Sequence, residues 1–234
     1  MISFNPTISS YSTGITSLLF FISSAVIFTS WKKTKDHLLK YFFFFLLFFG
    51  CQQLFFSLGT GSLSLNPIVN SWLWTIAHLF MFLGLSFFIR FPFAVQLPKL
   101  EKTAFNLAIL YSIMGSLYFL LTAQQPAVNS KLLSNNVFLF TVPKIHTIII
   151  VIFTSLTLVS SVAIFIYNAI KTEDKFIKQR SIIIALALLI FLIGGPVHNL
   201  VHTPLLTTIA DGMIVISMVI MMVGMYIRKI VRNQ

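Results

Sequence analysis

The sequence predicts an all-α integral membrane protein of seven transmembrane helices, with its N-terminus outside and its C-terminus in the cytoplasm. Three observations predict it. First, the 234 residues are 57% apolar and only 9% charged, and their mean hydropathy is +0.94. A soluble domain carries roughly a quarter charged residues, so the chain lacks the polar surface that water would demand. Second, seven apolar runs are long enough to cross roughly 30 Å of hydrocarbon at about 1.5 Å per residue. Third, the basic residues alternate sides. The loops after spans 1, 3 and 5, with the tail, hold 14 of the 16 Lys and Arg, and the other side holds only Lys131 and Lys144. Cytoplasmic loops carry that excess, and an even number of spans would break the alternation.

The spans are placed near 12–31, 40–60, 71–92, 103–124, 143–170, 181–201 and 205–228, forming a single domain. The first lacks the positive leader of a cleaved signal and is followed by Trp31-Lys32-Lys33, which marks a retained anchor. The second is an aromatic slab, with Phe42 to Phe45, Phe48, Phe49, Phe55 and Phe56, that faces lipid, fills the bundle or walls a planar cofactor. The third carries His78 and, near its inner end, Arg90; the fourth carries Asn106 and Ser112. The longest loop, roughly 125–142, is expected outside as a small cap on the membrane around Phe138-Leu139-Phe140. Span 5 opens with Pro143-Lys144-Ile145-His146. Span 6 ends in Gly194-Gly195-Pro196 and His198-Asn199-Leu200-Val201-His202, and span 7 carries Asp211-Gly212. Six residues follow Arg228, so a signalling role would pass through a partner. The Phe-, Ile- and Lys-rich usage points to a prokaryotic cytoplasmic (inner) membrane.

The net charge of +11 does not make this a nucleic-acid binder. Such proteins gather basic residues on one face, whereas here small basic groups separate apolar runs and serve as topology and head-group anchors. The expected partners are the lipid bilayer and a membrane or redox partner protein, with no nucleic acid. Cys51 is the only cysteine, which excludes an intrachain disulfide and reads as a small core residue.

An ionisable residue inside a span is a functional candidate, because burial without a partner is costly. Of five acids, Asp36, Glu101, Glu173 and Asp174 fall in cytoplasmic loops as solvated partners of Lys, and only Asp211 falls within a span. With the helix directions above, His78, His146, His198, His202 and Asp211 all land in the outer half of the membrane. His78 is placed roughly 10 Å deeper than the others by helical rise, level with Gln52 and Gln53. His198 and His202 form an i, i+4 pair on one helical face, preceded by a Gly-Gly-Pro that permits a kink.

Two chemistries fit. A b-type haem takes axial imidazoles from His146, His198 or His78, with Lys144 beside a propionate and His202 and Asp211 around it. This reading predicts electron transfer or redox and gas sensing, and Lys144 favours it, since a cation welcomes a propionate. Alternatively, His146, His198, His202 and Asp211 surround zinc or copper, with an open position for hydrolysis. The three histidines, the Asp and the HxxxH pair resemble the seven-helix membrane hydrolases of the alkaline ceramidase and progestin/adiponectin-receptor superfamily, and that resemblance implies a zinc hydrolase. In those proteins the HxxxH pair lies on the last helix and the zinc near the cytoplasmic side. A retinal protein is excluded, because span 7 has no lysine between Pro204 and Arg228. A transporter or a structural subunit of a membrane complex is the third reading.

Overall fold

The structure, a computed structural model, describes residues 7–61, 66–132, 138–200 and 203–232. Seven long helices run through them: α1 (Ile8–Thr34), α2 (His37–Thr60), α3 (Pro67–Gln96), α4 (Pro98–Thr122), α5 (Lys144–Lys171), α6 (Lys175–Leu200) and α7 (Pro204–Arg232). All seven are long and apolar enough to cross a membrane, as the sequence predicts.

Several helices begin before their apolar runs because polar caps satisfy the free N–H groups of the first turn. Asn66 caps α3 by accepting from the amides of Ile68 (3.0 Å) and Val69 (3.2 Å), with Pro67 in the first turn. Asp174 accepts from the amides of Phe176 and Ile177 and so starts α6 six residues ahead of the expected span. Asp36 caps α2 in the same way. Asp36 and Asp174, expected as solvated partners of Lys, therefore act as helix caps. Glu101 departs further. It lies in the first turn of α4 and pairs with Arg90 of α3 at 2.6 Å, and the Arg90 guanidinium lies over the rings of Tyr41 (3.9 Å) and Phe105 (4.6 Å). A planar guanidinium suits both contacts at once.

The helices pack as a ring: α1 on α2, α2 on α3, α3 on α5, α5 on α6, α6 on α7, and α7 back on α1. Helix α4 lies outside it, against α3. Two-thirds of the α3 span is buried (67%) but only 22% of the α4 span, and Leu107, Ile113, Met114, Leu117 and Leu121 of α4 point outward, as lipid requires. The aromatic slab of α2 divides. Phe42, Phe45 and Phe49 are buried and meet Phe91, Phe88 and Phe191, whereas Phe44 and Phe48 pack with Phe87 along the α2–α3 groove. Gly84 permits this closeness: a Cβ there would come within 2.7 Å of the Phe49 ring.

The loop expected as a membrane cap contains an antiparallel pair, β1 (Asn129–Leu132) and β2 (Phe138–Thr141). It is tied to the bundle by the Ala127 amide donating to Ser71 Oγ (3.3 Å) and by Phe140 against Phe56 (ring centroids 6.0 Å).

Candidate functional site

Two hydrogen-bonded rungs set the depth at which α1 and α2 face each other. Ser17 Oγ donates to the Gly50 carbonyl (2.9 Å), and Ser57 Oγ donates to the Ser10 carbonyl (2.8 Å). Between them lie Ser12 and Thr13 on α1, and Gln52 and Gln53 on α2. Asp211 of α7 joins this level, because Ser12 Oγ donates to its carboxylate at 2.5 Å. Asp211 is 6% exposed, and this contact helps to close α7 onto α1.

Inside the ring lies a cavity of ≈ 1040 Å³, its open mouth included. Its walls come from α1, α2, α3, α5, α6 and α7, and Val142, just after β2, completes one edge. The surface is mainly apolar, from Phe49, Phe56, Met81, Leu85, Phe191 and Ile214. The polar groups are Thr13, Gln52, Gln53, His78, Thr147, Thr154, Ser155 and Asp211. Ligand sites commonly take this form, an apolar hollow with a few placed polar groups.

His78 is 2% exposed and faces this cavity. Its Nδ1 lies 2.9 Å from the Trp74 carbonyl, one turn back on α3. A carbonyl only accepts, so Nδ1 carries a hydrogen, and in the neutral ring Nε2 keeps its lone pair. The imidazole also packs against the Trp74 ring, tilted by 36° with centroids 3.9 Å apart, and meets Phe56 edge-on at 5.3 Å.

His146 occupies a different place. It is 3% exposed but does not line the cavity. Its ring lies among Phe119 (4.7 Å), Tyr118 (5.1 Å) and Trp74 (5.7 Å), so Trp74 contacts both histidines. Its Nε2 is 2.9 Å from Thr122 Oγ1, whose hydroxyl donates to the Tyr118 carbonyl (2.9 Å). Nε2 and the Thr122 hydroxyl share a hydrogen bond, and Nδ1 is buried without a hydrogen-bond partner among the described residues. Lys144 is exposed at the start of α5.

The structure thus brings His78, Asp211, Gln52 and Gln53 to one space and sets His146 and Lys144 apart from it. Position 198 belongs to α6, and with Phe191 and Gly195, both on the cavity wall, it completes an i, i+4, i+7 stripe. The side chain of His198, and His202 altogether, lie outside the described residues. Among the described residues, no group of three His, Cys, Asp or Glu is placed to hold a metal ion. Sequence reasoning missed Ser12, Thr13, Thr122 and Trp74. The density of hydroxyls in α1 (Ser9, Ser10, Ser12, Thr13, Thr16, Ser17) was the available signal for the first two.

No family model matches the chain, and comparisons with curated proteins and with solved structures find no match.

Proposed function

We propose that this is a membrane-embedded binding protein whose central cavity takes a largely apolar molecule against His78. The observation that carries the reading is His78 itself: a buried imidazole on the wall of a mainly apolar hollow, its Nδ1 held by a backbone carbonyl. In this reading the chain sits in a prokaryotic cytoplasmic membrane with its N-terminus outside, as its basic residues argue, and the cavity lies in the outer half.

A second reading, b-type haem for electron transfer or redox and gas sensing, is favoured by one specific feature. Metal-bound histidines typically donate their other ring N–H to a carbonyl or carboxylate, which fixes the tautomer and leaves one lone pair for the metal. His78 has that arrangement, and Phe49, Phe56 and Phe191 supply apolar walls. A Cβ at Gly195 would meet nothing within 4 Å among the described residues. His78 would be one axial ligand, and position 198 of α6 shares a stripe with two wall residues. His146 suits this role less well, enclosed as it is by aromatic rings and bonded to Thr122. Zinc or copper has no comparable support among the described residues.

The test is purification in lipid nanodiscs, followed by a visible spectrum and mass spectrometry of extracted small molecules. Haem gives a Soret band that His78→Ala abolishes and His146→Ala retains. A colourless protein carrying an apolar organic molecule rejects haem and keeps the binding reading. A colourless protein with nothing extracted, and no molecule stabilising it, overturns both.

A further inference from the structure

Three polar side chains of the cavity wall have hydrogen-bonding groups left over. His78 commits Nδ1 to the Trp74 carbonyl, and its Nε2 has no hydrogen-bond partner among the described residues. Gln52 and Gln53 of α2 are only 7% and 6% exposed. Oε1 of Gln52 is buried without a partner, and neither amide makes a hydrogen bond among the described residues. All three side chains line the hollow. Helical spacing brings them together. Phe49, Gln52, Gln53 and Phe56 follow an i, i+3, i+4, i+7 stripe on α2, and each lines the cavity. Phe56 meets the His78 ring at 5.3 Å, and Phe49 lies against Gly84. The two amides fall between these contacts, within about one helical turn (~5 Å) of the His78 level. Buried polar groups without partners are unfavourable, and these three differ in what they lack. The neutral His78 ring, with its hydrogen on Nδ1, can only accept at Nε2. A primary amide brings two N–H donors and one carbonyl acceptor, and half a turn about its last bond exchanges them.

We infer that this level of the cavity recognises the hydroxyl of an apolar alcohol. Its O–H donates to His78 Nε2, its oxygen accepts from the amide of Gln52 or Gln53, and its apolar body lies against Phe49, Phe56 and Phe191. A hydroxyl is donor and acceptor at once, and two hydrogen bonds of about 2.8 Å through one oxygen span the separation in depth. An ether, an ester or a carboxylate would bring no hydrogen to His78, and an ammonium would bring no acceptor to the amides. The inference rests on the binding reading above and names the chemical class of the occupant. In the haem reading the same lone pair of His78 goes to iron, so the two occupants exclude each other.

The experiment compares undecanol, decyl methyl ether and dodecane, which match in length and differ in hydrogen bonding, on the full protein in zwitterionic nanodiscs. Thermal unfolding midpoints, referred to the mole fraction of each compound in the lipid, give apparent affinities. Undecanol is expected to bind about tenfold more tightly than the ether, the scale of leaving one buried acceptor unpaired. The ether should exceed dodecane by a smaller factor. His78→Phe should erase the advantage of alcohol over ether. Gln52→Leu combined with Gln53→Leu, on another helix, should erase the advantage of ether over dodecane and weaken undecanol. That pair keeps the assignment testable should His78→Phe fail to fold. Equal affinities for alcohol and ether, the result expected where water alone meets the polar groups, overturn the hydroxyl assignment and leave the cavity reading standing. An alcohol advantage that survives both sets of substitutions does the same. No stabilisation by any of the three overturns both.

Discussion

Gly84 shows how much of the bundle depends on single atoms. A methyl group there would meet the Phe49 ring at 2.7 Å, and Phe49 is held by Phe20, Phe45 and Phe191. Gly84→Ala is therefore expected to lower stability by about 1–3 kcal/mol, the usual cost of overpacking. Gly50→Ala offers a control, since its methyl would press on Phe21 at 2.8 Å, a half-buried ring that can swing outward. It should cost clearly less, and thermal unfolding of both variants in one lipid checks the order. The site was legible at this scale wherever a single residue was anomalous. His78, Asp211, Gln52 and Gln53 are polar groups in apolar runs, and all four reach the cavity. The expected separation of His78 and Asp211 in depth does not keep them from sharing it. The place of His146 was not legible, because it is decided by which rings α3 and α4 bring to its sides. Ser12 was hidden among ordinary hydroxyls until α7 closed against it.

Seven helices were legible element by element, since each needs only a sustained apolar run, while their ends were set by caps such as Asn66 and Asp174 that lie outside those runs. The hairpin was not foreseen, as strands of four residues are too short to show an alternation. Helix α4 is the element with the least buried span. It is attached by Ser112 of α4, whose Oγ lies 2.7 Å from Ser86 Oγ of α3, and by Tyr111, whose hydroxyl donates to the Ile149 carbonyl of α5 at 2.9 Å. Interhelical hydrogen bonds of this kind contribute about 0.6 kcal/mol in membranes, up to about 1.7. Ser112→Ala should destabilise the bundle within that range, and Ser86→Ala, Ser112→Ala together should cost less than the sum of the singles. A double-mutant cycle by unfolding in one lipid measures the coupling.

For the whole molecule, the fold class was legible from composition and the count from spacing, while the closed ring was not, because no local signal tells α7 to lie on α1. The sidedness proposed above makes its own prediction. A reporter fused after Gln234 should be active in the cytoplasm, and a single cysteine placed at Gln124 or Gln125, in Cys51→Ser protein, should react with an impermeant thiol reagent added outside. The reverse labelling pattern would turn the bundle over and place Asp211 and the cavity in the cytoplasmic half.

The Ser12–Asp211 contact joins residues 199 positions apart, and that distance is also an interval of time. Translation delivers α1 long before α7. Its serine- and threonine-lined face first engages α2 through rungs available at once, and then waits through five more insertions for its second neighbour. Until α7 arrives, a ribosome-bound chain holds a groove where the finished protein holds a cavity. The full lining of the cavity is thus present only once the final helix, with Asp211 and Ile214, has entered.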